Sequence, residues 1–96
     1  MNLDNIHSLK DLINQLIELN DWTENIAFVK IKENWDQILG KNFAEHIEPK
    51  KLKDGVLHLK ADSSTWRTEM LIRKEQIIER INFFLNQNLI KTVKIR

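Results

Sequence analysis

Lys50, Lys51, Lys53, Lys60, Lys94 and Arg96 are the residues whose type and spacing could do chemistry. That chemistry is the neutralisation of phosphate. A cluster of ammonium and guanidinium groups displaces counterions from a polyphosphate backbone, and the binding it produces weakens as salt rises. His58, between Lys53 and Lys60, can join them. The net charge of +1 hides how unevenly the charges fall. Met1 to Glu48 balances at −5 and Pro49 to Arg96 at +6, which suggests two surfaces of opposite sign. Phosphate contact needs little beyond clustered charge, whereas base-edge reading needs a patterned donor set that is not present here. The chain also has no Tyr on which bases could stack. The competing reading of the same lysines is a solvated strand face that discourages edge pairing.

Other chemistries find less support. His7, His46 and His58 are far apart and have no metal-ligand spacing. Ser63 and Ser64 lack the surrounding G-x-S-x-G of a nucleophile elbow. There is no cysteine, which excludes disulfides and thiol catalysis and fits a reducing cytoplasm. No glycine-rich phosphate loop occurs, so ATP binding or hydrolysis is not expected. The reading is of a protein that is not an enzyme, with no cofactor, no metal and no small-molecule substrate. Asp11, Glu18, Asp21, Glu24, Glu33 and Asp36 are expected on the outer sides of the first helices, as a solvated surface or one facing a basic partner.

These residues need elements to position them. Asp54-Gly55 tolerates the positive φ of a type I′ turn, and the sequence alternates on both sides. Leu52, Leu57, Leu59 and Ala61 fall on one face, with Lys51, Lys53, His58 and Lys60 on the other. A two-residue turn sets Leu52 opposite Leu57 and Lys51 opposite His58. Before the hairpin, Leu9, Leu12, Ile13, Leu16 and Ile17 predict an amphipathic helix over Ser8–Leu19. A second helix is expected over Thr23–Leu39, burying Phe28, Ile31, Trp35, Ile38 and Leu39 and ending at Gly40, with a further turn from Lys41 to His46. Trp22, between the two helices, reads either as a hydrophobic staple or as an exposed partner contact.

Ser63-Ser64-Thr65 suits a helix N-cap and opens a long run over Ser64–Leu85. Trp66, Met70, Ile77, Ile81 and Phe84 share its apolar side, and Arg73-Lys74-Glu75 interrupts it, which predicts a bend or two short helices. Trp35 and Trp66 are both expected to pack in the core. Ile90–Ile95 closes as a short strand, parallel to one hairpin strand after its crossover. The result is a single α+β domain over 1–96: two layers, order α-α-β-β-α-β, a three-stranded sheet with helices packed on one face. The amino terminus lacks the features of a signal peptide and no segment approaches a membrane span, so a soluble cytoplasmic protein without membrane contact is expected.

Several of these residues fall in a familiar order. Trp35, Ile38, Leu39 and Gly40 precede Ala44, His46 and Pro49; then come Leu52, Asp54-Gly55 and Val56 to Leu59. Ser63 to Trp66, Glu69-Met70-Leu71, Ile78, Ile81, Asn82 and Val93 to Arg96 complete the pattern. From about Ser8 onward the chain resembles the DciA-like family of bacterial replicative-helicase loaders. The resemblance implies a KH-like domain that associates with the replicative DNA helicase and touches DNA, single- or double-stranded, with no catalytic residues. Many such relatives carry a further flexible tail, and this sequence stops at Arg96. Neither Gly40 nor Gly55 belongs to a Gly-x-x-Gly loop of the kind KH domains set against phosphates, so RNA binding of that sort is not expected. The combined reading is a DNA-replication accessory protein, an ATP-independent loader or interaction domain for the helicase with weak, non-specific DNA binding. The alternative is a protein–protein adaptor that does not bind nucleic acid.

Overall fold

The hairpin turn forms as its residue types require. Asp54 and Gly55 adopt φ of +53° and +78°, both left-handed, which closes a two-residue type I′ connection. The computed structural model describes residues 23–96. The expected first helix, Ser8–Leu19, and Trp22 lie outside the described residues. A helix runs through residues 23–33 (α1). It is followed by α2 (Trp35–Leu39), α3 (Lys41–His46), β1 (Ile47–Lys53) and β2 (Val56–Ala61). The chain continues through α4 (Ser64–Ile72), α5 (Lys74–Leu85) and β3 (Thr92–Ile95).

This is an α+β arrangement on a mixed three-stranded sheet in the order β1-β2-β3. β1 and β2 are antiparallel, with Leu52 opposite Leu57 and Lys51 opposite His58, the register that the turn dictates. β3 lies parallel to β2, pairing Leu57 with Val93 and Leu59 with Ile95. Ile47 and Glu48 already pair with Ala61 and Lys60, so β1 starts two residues before Pro49. Ile47, Leu52, Leu57, Leu59 and Val93 bury one sheet face. Against them pack Ala27 and Ile31 of α1, Trp35, Ile38 and Leu39 of α2, Met70 of α4, and Ile77 and Ile81 of α5. Each such side chain taken fully out of water contributes about 1.5–3 kcal/mol, which is what holds short helices on a small sheet.

The two long helical runs are divided, each for a local reason. At Asn34 the backbone leaves helical geometry, and its side-chain amide donates to the Lys30 carbonyl at 2.9 Å, sharing that acceptor with the Asn34 N–H at 3.1 Å. Gly40, at φ +88°, ends α2 while its N–H donates to the Asp36 carbonyl at 2.9 Å. α4 begins on Ser63, whose hydroxyl accepts from the Trp66 N–H at 3.3 Å. The interruption expected at Arg73-Lys74-Glu75 falls at Arg73 and yields two helices, α4 and α5. α5 stops at Asn86, which takes the left-handed conformation open to asparagine; the Gln87 N–H then caps the Asn82 carbonyl at 3.2 Å. Phe84 departs from expectation: it is 38% exposed and borders an open groove with Gln37, Ile38, Glu79, Arg80 and Phe83.

Trp35 is buried, and its indole N–H donates to the Ile47 carbonyl at 2.6 Å, tying α2 to the start of β1. Trp66 is only half-buried. One ring face stacks on His46 at 4.4 Å and 10°, and Phe43 meets it edge-on at 5.2 Å. His46 is held for this by its Nδ1, 2.7 Å from the Asp62 carboxylate. Packing at the helix-to-strand transition therefore accounts for His46. No helix among the described residues is long and apolar enough to cross a membrane.

Candidate nucleic-acid interface

The cationic face is assembled by the sheet register. Leu52, Leu57 and Val93 form one cross-strand row on the buried side. The adjacent row, Lys51–His58–Lys94, therefore falls on the opposite side, because successive strand residues alternate. Lys51 and Lys94 are exposed and His58 is half-buried between them. Their Cα atoms span two strand spacings, about 10 Å. The row toward the turn brings exposed Lys53 beside Val56 and Thr92. The row on the other side brings Glu48 beside Lys60. Arg96 continues β3 there: its N–H donates to the Leu59 carbonyl at 3.0 Å and its carbonyl accepts from Ala61 at 2.8 Å, so it flanks Lys60. Five of the six sequence-predicted cations thus fall in three consecutive rows of one open face.

Lys50 reaches that side by another route. Strict alternation would aim it into the core, one residue before exposed Lys51. The register shifts between Pro49 and Lys51 and leaves Lys50 as the extra residue of a β-bulge. Pro49 is buried, Lys50 and Lys51 are both exposed, and the Lys50 ammonium sits 3.0 Å from the Glu48 carboxylate. The bulge and Pro49 also blunt the free edge of β1. Trp22, the remaining predicted site residue, lies outside the described residues.

The electrostatics of the face register at His58. Partial burial first, then Lys51, Lys94 and Arg96, hold its imidazole below the ordinary histidine value of 6.5. Glu48 is the one carboxylate in any of the three strands, and it is engaged by Lys50. An anion arriving at this face would meet cations on all three strands and relieve their mutual repulsion.

Sequence reasoning misplaced the residue that fixes the turn. Glu24, expected on an outer helix side, is buried, and its carboxylate oxygens accept from Asp54 N–H at 3.1 Å and Gly55 N–H at 2.7 Å. The Gly55 carbonyl in turn accepts from Lys91 N–H at 2.8 Å and Thr92 N–H at 3.3 Å. The turn thereby joins α1 to the start of β3 and fixes the strands that carry the lysines. A signal was present: Glu24 shares the helical stripe of Phe28, Ile31 and Trp35, where an acid needs a buried partner. On the far side of β3, Asn82 holds the Ile90 backbone through both its amide groups, at 2.8 and 2.9 Å. Among the described residues no group of three His, Asp or Glu side chains could hold a metal ion.

A mixed three-stranded sheet, helices over its apolar side and cations across its open side define a small two-layer α+β protein with a basic sheet surface. Comparison with known families places it more closely. Residues 8–95 match the family described as "Dna[CI] antecedent, DciA", and the chain belongs to the DciA family. It is 27% identical over 84 residues to a UPF0232 protein of Rhodococcus jostii, covering 88% of this chain and 45% of the relative. A UPF0232 protein of Corynebacterium glutamicum is 28% identical over 88 residues, 92% of this chain and 49% of the relative. One from Mycobacterium tuberculosis is 28% identical over 81 residues, 84% and 43% respectively. The chain spans just under half the length of these bacterial relatives.

Proposed function

We propose that this chain is a DNA-replication accessory protein that acts as an ATP-independent loader or interaction domain for the replicative DNA helicase. It makes weak, salt-dependent DNA contacts through the outer face of its sheet. The observation that carries the DNA part is the alignment of Lys53, Lys51 with Lys94, and Lys60 with Arg96 in three adjacent rows of one face. Membership of a family described as an antecedent of Dna[CI] supports the helicase part. The face has no aromatic residue in its strand positions other than His58, so base stacking contributes little and sequence preference is weak. The sequence contains no glycine-rich nucleotide loop, which supports an ATP-independent role.

The adaptor reading has its own supporting feature. Phe83, 88% exposed, and Phe84, 38% exposed, line an open groove on α5 with Ile38, an apolar surface on which a partner could dock. The two readings separate on one comparison: titration of a labelled single strand and a labelled duplex with the wild type and with the triple variant Lys51→Glu, Lys53→Glu, Lys60→Glu. DNA binding that the triple variant loses, with helicase capture retained, supports the proposal. Helicase capture without DNA binding in either protein supports the adaptor.

A further inference from the structure

The middle of the cationic face is occupied by the one side chain there whose charge depends on pH near neutrality. His58 is paired directly with Lys51 on β1 and with Lys94 on β3, in the same cross-strand row. Along its own strand, Val56 and Lys60 are its neighbours on the same side, and Lys53, Thr92 and Arg96 occupy the flanking rows. The only acid among the strands, Glu48, is held by Lys50. Each charged group facing the ring from β1 and β3 is thus cationic, apart from that engaged carboxylate. A lysine in the same place would add to the repulsion throughout the neutral range, whereas a histidine adds it in the free protein only once the pH falls below the ordinary histidine range.

We infer that His58 is a conditional phosphate contact: a nucleic-acid backbone on the sheet face draws a proton onto its imidazole near neutral pH, and the ring then binds as a further cation. This rests on the reading of that face as the phosphate-contacting surface. Its basis is the geometry of the row: a half-buried central imidazole with cations on both neighbouring strands, where the negative charge of a bound backbone would offset the repulsion that opposes its protonation. The depressed proton affinity of the free imidazole agrees with it. By linkage, a site that gains a proton on binding binds more tightly as pH falls, and binding must raise the proton affinity by the same factor.

The test titrates a labelled oligonucleotide with the full chain between pH 5.5 and 8.5 at several salt concentrations, and follows the His58 imidazole resonance by NMR with and without the oligonucleotide. One further phosphate contact steepens the log–log salt slope by about 0.7 for a single strand, which amounts to about five-fold in affinity near 0.1 M salt. The inference expects that gain at low pH, an upward shift of the His58 titration on adding oligonucleotide, and loss of both in His58→Gln. His46→Gln and His7→Gln are expected to keep the pH dependence. Binding that is equally strong at all pH values, or a pH dependence that persists unchanged in His58→Gln, overturns the inference and leaves the phosphate-contacting face standing. Absence of binding at every pH overturns the face itself, and the inference with it.

Discussion

Removing the Glu24 carboxylate should cost more stability than any other single change to a charged group among the described residues. Its two oxygens accept the Asp54 and Gly55 N–H groups at 3.1 and 2.7 Å inside the fold. Hydrogen bonds to a charged acceptor contribute about 1.5–3 kcal/mol each, and a buried amide left unpaired costs about 1–3 kcal/mol. Two effects work the other way. The variant no longer desolvates a carboxylate, and water can follow the shortened side chain to the amides. The balance for Glu24→Ala is a loss of about 2–3 kcal/mol. At about 4–8 °C per kcal/mol for a domain of this size, Tm should fall by about 10–20 °C. Glu24→Gln keeps one acceptor but sets an NH2 group against an N–H, so it should lose about 1–2 kcal/mol. Thermal and urea unfolding followed by far-UV circular dichroism reads both. A Glu24→Ala protein within about 2 °C of wild type would refute the idea that this carboxylate fixes the turn.

Further outcomes follow from the same structure. Gly55→Ala should cost about 1–3 kcal/mol in urea unfolding, because the residue holds φ +78° and an added Cβ would lie 3.0 Å from the Lys91 side chain and 3.3 Å from the Leu89 carbonyl. Phe83→Ser, at a residue 88% exposed, should change stability by no more than about 0.5 kcal/mol in urea unfolding. His58 binds its proton more weakly in the folded chain than in the unfolded one. The DNA-free protein should therefore lose stability as pH falls through the ordinary histidine range near 6.5, and His58→Gln should reduce that loss in pH-dependent melts.

What could be read from the sequence follows the range of the interactions involved. Asp54-Gly55 and the alternation around it were enough to set Lys51 opposite His58, because a two-residue turn leaves no freedom of register. The helix ends at Gly40 and Ser63 were equally local, each a residue type acting on its own backbone. The bulge at Lys50 was not legible: a single inserted residue leaves the composition unchanged, and only the shift in pairing after Pro49 reveals it. Glu24 was misassigned because its partners lie 30 and 31 residues away, beyond any periodicity. Phe84 follows the helical spacing of Ile77 and Ile81, yet remains at the border of the open groove beside Ile38. Periodicity assigns a face to a residue but not the point at which the layer beneath it ends. The cationic face was legible in outline, since the alternating lysines were visible along β1 and β2. Lys94 and Arg96 belonged to the same reading, but which hairpin strand they would lie beside was fixed only by the parallel pairing of β3 with β2.

The most direct test of the central claim is the salt dependence of oligonucleotide binding in two proteins, the wild type and a Lys51→Glu, Lys94→Glu double variant. These residues flank His58 in one row on opposite strands, and both are exposed, so the substitutions should leave the fold intact. The account predicts binding whose logarithm falls linearly with the logarithm of salt, with a slope of about −3 to −4 if five contacts are made to a single strand. It also predicts that the double variant's slope is shallower by at least about 1.4. Binding that ignores salt, or a double variant indistinguishable from wild type, would contradict the claim that this sheet face meets the phosphate backbone.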